Sequence, residues 1–246
     1  KGSNLISSYL IPSNTDAGVV IKPLINLGTF VSLADEDNSL IQYNSGISSW
    51  TNDIGSFEKT EGYLIKVNAN CELQITGTPV SVPMDIALQP GWNIISYPKT
   101  EQVNAMSVVQ TLINQNKLVK VQDENGNSIE NLKSYGGWKN NIGNFLPGKA
   151  YKVYVNAYTS LTIQSTYTKS ALSQASSLLT EHFQPSYDGN GLNHMNINFV
   201  DVNLSEISAG DELAAFDGNI CVGALKVTQE QIASGSLSLI SSYKTS

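Results

Sequence analysis

The amino-acid sequence predicts a mainly β protein: tandem small β-sandwich or barrel-like domains, each with one short helix, plus a partial third β-sandwich unit. Two observations support this fold class. The first part of the chain contains an internal repeat, and short runs of alternating apolar and polar residues lie between Gly, Pro and Asn residues. Such bounded, alternating runs are typical of strands and turns. The 246 residues are enough for two ordinary domains or three small ones.

The repeat is defined by an offset of 88 residues, which needs no gap over residues 16–77. Trp50 then corresponds to Trp138, and Tyr63 corresponds to Tyr151. Most matching positions are apolar, aromatic or glycine, the residue types that fix cores and turns. We therefore expect the two copies to share one fold.

The repeat sets the predicted domain boundaries. We place the first repeat at residues 1–83, the second at 84–168, and a linker with the third unit at 169–246. The opening segments of the two repeats match with an offset one residue larger, since Gly2–Ser7 aligns with Gly91–Ser96.

One short helix is predicted in each repeat. In the second repeat Asn104 is a suitable N-cap for a stripe of apolar residues with helical spacing, namely Val108, Val109, Leu112 and Ile113. The first repeat has Pro23 in the same stretch, which predicts a short or kinked helix there.

The strands of the two repeats are predicted in matching pairs. Asn125-Gly126 is a strong signal for the hairpin turn that follows the first pair. The main pairs are Phe30–Leu33 with Leu118–Val121, Tyr63–Val67 with Tyr151–Val155, and Leu73–Ile75 with Leu161–Ile163.

The third unit follows a change of composition. Residues 165–177 are rich in Ser, Thr and Lys and are predicted to form a linker. Strands are then predicted at His194–Val200, Ile220–Val227 and Leu237–Ile240. The chain ends shortly after the last of these. We therefore expect a truncated third unit with an open strand edge, belonging to a longer polypeptide.

Composition argues against several classes of function. The net charge is −7 and no Lys/Arg cluster occurs, so nucleic-acid binding is not expected. No apolar run approaches the roughly 20 residues that span a bilayer, so no membrane span is predicted in this fragment. Cys71 and Cys221 lie in different units, which excludes a disulfide framework and predicts two isolated, buried thiols.

Two groups of motifs resemble known secreted bacterial proteins. Gly91-Trp92-Asn93-Ile94-Ile95-Ser96 with Pro98, Trp138 and Pro147–Tyr151 resembles the "GWNLIS…P…W…PGxGY" domain of large proteins exported by the type IX secretion system. The first repeat departs from this pattern, because Ser3 replaces the Trp and Lys59–Tyr63 keeps only the Gly-Tyr. In the third unit, Gly210–Gly218 and Cys221–Ala224 resemble the "GDEIAVFDG…CVGA" module of the same kind of protein.

The resemblance implies a location and an architecture but no reaction. It implies a non-catalytic structural or adhesive segment of a larger secreted or cell-surface bacterial protein. The resemblance implies partners at the cell exterior, either protein or glycan, and it implies contact with the secretion machinery as a further candidate. The alternatives are a carbohydrate-binding accessory module of a secreted multidomain enzyme, or an accessory region of an enzyme whose catalytic domain lies upstream.

No catalytic constellation is evident in the sequence. His182 and His194 are the only candidate imidazole bases, and neither lies in a recognisable motif. The acidic segments Asp35–Asp37 and Asp123–Glu124 could supply a glycosidase pair by residue type. They lie in predicted hairpin turns, where Asp side chains cap the backbone, and we favour that role. The protein is therefore predicted not to be an enzyme.

Two ligand hypotheses remain. No cofactor is predicted apart from calcium, for which oxygen ligands could come from Asp211, Glu212 and Asp217, with Asp188 in a nearby Gly/Asn-rich loop. Trp92 could stack on a sugar ring. Trp50 and Trp138 share one repeat position, which favours a structural role for both, whereas Trp92 has Ser3 as its counterpart and is freer to bind a ligand.

Overall fold

The computed structural model describes residues 1–135, 137–167, 180–186, 194–199, 202–234 and 237–242. The fold is mainly β, as predicted, and is built from small antiparallel sheets with short helices. None of the helices in these ranges has the length and apolar character needed to cross a membrane.

The first repeat is built on a five-stranded antiparallel sheet with strand order β1-β6-β3-β4-β5, and β2 pairs separately with β7. A single helix, α1, lies between β2 and β3 in the chain. The elements are β1 (Gly2–Ile6), β2 (Leu10–Pro12), α1 (Ala17–Asn26), β3 (Phe30–Ala34), β4 (Leu40–Asn44), β5 (Ser49–Asn52), β6 (Tyr63–Val67) and β7 (Gly77–Pro79).

The second repeat has a matching five-stranded sheet with order β9-β15-β11-β12-β13. In addition β8 pairs with β16, and β10 pairs with β14. The elements are β8 (Met84–Leu88), β9 (Gly91–Ser96), β10 (Val103–Asn104), α2 (Ala105–Asn114), β11 (Leu118–Gln122), β12 (Ser128–Asn131), β13 (Trp138–Asn140), β14 (Asn144–Phe145), β15 (Ala150–Val155) and β16 (Thr159–Ile163).

The two sheets agree in detail as well as in strand order. The register between β3 and β6 shifts between Phe30 and Ser32, and the register between β11 and β15 shifts between Leu118 and Lys120. These positions are related by the 88-residue offset, so each repeat carries a β-bulge at the same place. Each helix packs its apolar stripe on the core of its own repeat.

The two helices begin at matching caps, of which Asn104 is the predicted one, and have the same length. Asn104 caps α2 by accepting a hydrogen bond from the Ser107 N–H, and Asp16 caps α1 in the same way. Pro23 does not make α1 shorter than α2, because both helices have ten residues, and the alternative prediction of a kink at Pro23 stays a prediction. Because proline has no backbone N–H, Pro23 cannot donate a helical hydrogen bond to the Val19 carbonyl. Val19 is exposed, so water can donate to that carbonyl instead.

One predicted strand is absent from the first repeat. Leu161–Ile163 lies in β16 and pairs with β8, but Leu73–Ile75 forms no ladder with any described strand. Cys71 precedes this unpaired segment and is exposed, so the prediction of a buried thiol is wrong there, whereas Cys221 is buried as predicted.

The described residues of the third unit form two strand pairs. β17 (His194–Phe199) pairs with β20 (Leu237–Ser242), and β18 (Glu212–Asp217) forms a hairpin with β19 (Ile220–Lys226), which α3 (Gln229–Ser234) follows. Gly223 lies so close to β20 that an added Cβ would approach the Ile240 carbonyl oxygen to 2.3 Å. The truncation of this unit, with an open strand edge, stays a prediction.

Candidate functional site

The two repeats contact each other through an interface with approximate two-fold symmetry. The backbone bridge between Ile6 and Lys149 has a counterpart in the bridge between Glu61 and Ile95. Ile95 is the counterpart of Ile6 in the alignment of the opening segments, and Glu61 is the counterpart of Lys149 at the offset of 88 residues. The repeat thus relates one bridge to the other. Each repeat therefore places the end of its opening strand against the turn that precedes β6 or β15 of the other repeat.

Hydrogen bonds across the interface follow the same symmetry. The Ser7 N–H donates to the Gly148 carbonyl at 3.0 Å, and the Ser96 N–H donates to the Thr60 carbonyl at 3.1 Å. The hydroxyl groups of both serines donate to further carbonyls of the opposite repeat, at 2.6 and 2.5 Å. Both serines are buried, so these bonds are shielded from water.

An apolar cluster lies at the centre of the interface. Leu5 of the first repeat packs with Ile94 and Ala150 of the second, and all three are buried. Complete burial of a Leu or Ile side chain contributes about 1.5–3 kcal/mol, so Leu5 and Ile94 supply most of the stabilisation by this cluster. Gly62 leaves no space beside them, because an added Cβ would come within 2.3 Å of the Ala150 Cβ and 2.8 Å of the Ile95 carbonyl oxygen.

On one side of the interface the charges are complementary. The Glu124 carboxylate accepts a hydrogen bond from the Leu5 N–H at 3.1 Å and forms a 2.5 Å ion pair with Lys149. Since Leu5 belongs to the first repeat, Glu124 links the two repeats directly.

On the symmetry-related side the charges are not complementary. Glu36 corresponds to Glu124, but Glu61 occupies the position of Lys149. The Glu36 Oε2 atom is buried and has no hydrogen-bond partner among the described residues. Burial raises the pKa of Glu36 to about 7, and the neighbouring Glu61 carboxylate contributes to the rise. Burial also raises the pKa of Glu61.

Sequence reasoning did not find this carboxyl pair. A signal was present, because the repeat alignment places an acidic residue, Glu61, opposite a basic one, Lys149. The electrostatic interaction between Glu36 and Glu61 depends on how the β3–β4 turn and the turn before β6 fold together, which the spacing alone does not reveal.

The predicted capping role of the turn carboxylates is confirmed for Asp35 and Asp123. The Asp35 Oδ1 atom accepts hydrogen bonds from the backbone N–H groups of Asp37 and Ser39. Asp123 caps the corresponding turn by accepting from Asn125 and Asn127.

Trp92 is the most exposed of the three tryptophans. Its side chain is 44% exposed and lies edge-to-face against Tyr154, with the ring centroids 5.2 Å apart. These residues face each other on adjacent strands, β9 and β15. Trp50 and Trp138 are half-buried and pack on the cores of their repeats, as predicted.

Of the predicted calcium ligands in the third unit, Asp217 lies apart from Asp211 and Glu212. The Glu212 carboxylate accepts hydrogen bonds from three successive backbone N–H groups, those of residues 181–183, and these bonds lower its pKa. Asp211 accepts from the Ser208 N–H. Asp217 is exposed at the far end of β18, about 17 Å along the strand from Glu212.

No described group of three His, Cys, Asp or Glu side chains is arranged to hold a metal ion. Asp188 lies outside the described residues, as does the side chain of His194, and His182 is exposed. Calcium binding in the third unit stays a prediction.

Comparison of the chain with models of known families, with curated proteins and with solved structures finds no match. The resemblance to type IX secretion cargo therefore depends on the quoted motifs alone.

Proposed function

We propose that this chain is a non-catalytic structural segment of a larger secreted or cell-surface bacterial protein, in which two β domains act as one rigid spacer. The observation that carries the proposal is the reciprocal pair of bridges, Ile6 with Lys149 and Glu61 with Ile95. Domains joined by flexible linkers generally move independently. Here the two repeats are joined by two backbone bridges, one from the opening strand of each repeat, and these bridges fix the angle between the repeats.

The residues of the interface support this role for the motifs. Ser96 ends the opening "GWNIIS" segment, and Gly148 belongs to the "PGKAY" segment. Both form hydrogen bonds across the interface. These motifs can therefore serve to join neighbouring copies of the domain and need no catalytic role. Such a role agrees with the presence of two copies in tandem.

Contacts between the second repeat and the third unit extend the same arrangement. The Asn196 amide donates to the Ser128 hydroxyl at 2.7 Å, and the Asn198 amide donates to the Glu130 carboxylate at 2.9 Å. Side chains of β17 thus bond to β12, which favours a spacer that also positions the third unit.

The test replaces residues 1–167 in the natural gene by a flexible Gly/Ser linker whose mean end-to-end distance equals that of the replaced segment. Surface display of the rest of the protein, and capture of its extracellular partner, are measured on intact cells. We expect display to persist and capture to fall several-fold, because a flexible linker does not hold orientation. Unchanged capture would contradict the spacer role, and detection of the protein only inside the cells would contradict the proposed location.

The second candidate function is carbohydrate binding at Trp92. The exposed Trp92 ring, which packs edge-to-face on half-buried Tyr154, favours it, because an accessible aromatic face can stack on the apolar face of a sugar. A glycan array followed by titration of tryptophan fluorescence tests this candidate. Saturable binding that Trp92→Ala abolishes and Trp138→Ala leaves in place would establish it, and no binding on the array would reject it.

A further inference from the structure

The outer face of the second repeat's sheet carries two lysines beside its exposed tryptophan. The register places Trp92 on β9 opposite Tyr154 on β15, and Tyr154 opposite Lys120 on β11. Lys152 lies two positions before Tyr154 and therefore on the same face. These four side chains, which we call the outer patch, are exposed or partly exposed, whereas the alternate residues of β15, such as Val153, are buried.

The first repeat shows that the fold does not require the outer patch. Its sheet has the same strand order and the same register at these positions. The side chains are different, however. The counterparts of Trp92, Tyr154, Lys120 and Lys152 are, in that order, Ser3, Lys66, Ser32 and Leu64. Because one sheet forms without these side chains, their presence on the other favours a ligand-binding role over a purely structural one.

Two other units contact the face that carries the outer patch. The first repeat packs Leu5 on Ile94, which lies opposite Lys152. The Asn198 amide of the third unit donates to Glu130 on β12, the strand that follows β11 in the sheet. The outer patch therefore lies near both contacts between units, and ligand sites occur preferentially at such places.

Lys152 gives the outer patch a positive charge that the protein does not neutralise. Lys120 forms an ion pair with Glu130, with 3.4 Å between Nζ and Oε2. Among the described residues, none forms a hydrogen bond or an ion pair with the Lys152 ammonium. Burial lowers the pKa of Lys152, because removal from water disfavours the charged form. An anionic group that pairs with this ammonium would offset that cost.

We propose that the outer patch binds an acidic glycan, with a sugar ring stacked on Trp92 and an anionic substituent, carboxylate or sulfate, paired with Lys152. The proposal rests on the carbohydrate-binding candidate above and adds the charge of the ligand. Trp92 and Lys152 are diagonal neighbours on adjacent strands, about 7–8 Å apart, so one sugar with its substituent can reach both. The aromatic ring contacts the apolar face of any sugar, whereas the ammonium selects the charged one through a charge-assisted hydrogen bond.

The test screens the full chain on an array of neutral, carboxylated and sulfated glycans. The best-bound oligosaccharide and its neutral counterpart are then titrated by tryptophan fluorescence. We expect the acidic glycan to bind about tenfold or more tightly than the neutral one, because the neutral one leaves the ammonium unpaired. This preference should fall as the salt concentration rises. The carboxylated and sulfated arms identify which anionic group the patch prefers.

Three variants locate the recognition of charge. Lys152→Leu introduces the residue that the first repeat carries at this position, and it should abolish the preference for acidic glycans while neutral glycans still bind. Lys152→Arg should retain the preference. Lys66→Leu, on the outer face of the first repeat, is the matched control and should change nothing. Denaturant unfolding checks that each variant is folded.

The outcomes separate this inference from the candidate function on which it rests. Equal affinity for acidic and neutral glycans, or a preference that survives Lys152→Leu, would overturn the inference and leave carbohydrate binding at Trp92 in place. Absence of binding to every glycan on the array would overturn both.

Discussion

Gly62 and Ala150 occupy the same repeat position and contact each other across the interface between the repeats. A Cβ on Gly62 would lie 2.3 Å from the Ala150 Cβ, far inside van der Waals contact. The interface therefore tolerates a methyl group on one side of its approximate two-fold axis and none on the other.

The first prediction concerns this contact. Gly62→Ala is expected to lower the free energy of unfolding by about 1–3 kcal/mol, because the added methyl group must displace packed backbone. Denaturant unfolding measures the change. Gly46→Ala is the matched control, since its Cβ would meet only the Asn44 side chain, at 3.2 Å. Equal stability of the two variants would contradict the described packing.

The second prediction concerns the pH dependence of stability. The folded protein raises the pKa of Glu36 from 4.5 to about 7, so the folded state holds this proton more tightly than the unfolded state. The contribution of Glu36 is therefore neutral below pH 4.5 and becomes unfavourable as the pH rises through about 7. Glu36→Gln should stabilise the protein by about 1–2 kcal/mol at pH 8, allowing for solvent screening of a half-buried group.

Thermal unfolding of both proteins between pH 4.5 and 8 measures this effect. The difference between Glu36→Gln and the unmodified protein should be near zero at the acidic end and should grow with pH. Glu124→Gln is the control from the second repeat and should be destabilising at pH 8, because it weakens the pair with Lys149. A constant difference across the pH range would contradict the buried, shifted carboxyl group.

The third prediction converts the carboxyl pair into an ion pair. Glu61→Lys gives the first repeat the charge arrangement of Glu124 and Lys149, and we expect a gain of about 1 kcal/mol at pH 7.5. The reciprocal change Lys149→Glu should be destabilising by a comparable or larger amount. The two melting temperatures, measured at low and high salt, test the electrostatic origin of the effects. Shifts of the same sign in both variants would show that charge is not the cause.

The fourth prediction concerns Glu212. Its carboxylate accepts three backbone hydrogen bonds from residues 181–183, so Glu212→Ala should accelerate amide hydrogen exchange there. Asp217→Ala is the control, because Asp217 lies at the other end of the strand. Calcium binding at Glu212 stays a prediction, and a calcium ion would compete with these bonds for the carboxylate oxygens. A calcium-dependent change in the exchange of residues 181–183 that Glu212→Ala removes would support calcium binding at this residue, and no change on addition of calcium would contradict it.

The shared fold of the two repeats could be predicted from the sequence, whereas the order of the strands in each sheet and the interface between the repeats could not. The match of Trp50 with Trp138 reports a shared core, because core positions constrain residue type directly. The bridge between Ile6 and Lys149 depends on the relative placement of two folded units, which no local pattern encodes.

The same limit explains the missing strand of the first repeat. Leu73–Ile75 alternates as Leu161–Ile163 does, so the two segments have equal local preference for a strand. Only the second has a described partner, β8, beside it. Pairing, rather than propensity, decides the outcome at this position.

Residual dipolar couplings of the backbone N–H groups test the central claim most directly. They are measured on the full chain and fitted separately for residues 1–83 and 84–167. A rigid interface predicts one alignment tensor for both repeats, equal in magnitude and orientation, and Gly62→Ala should make the two tensors diverge. Two different tensors in the unmodified protein would show that the repeats move independently and would contradict the account.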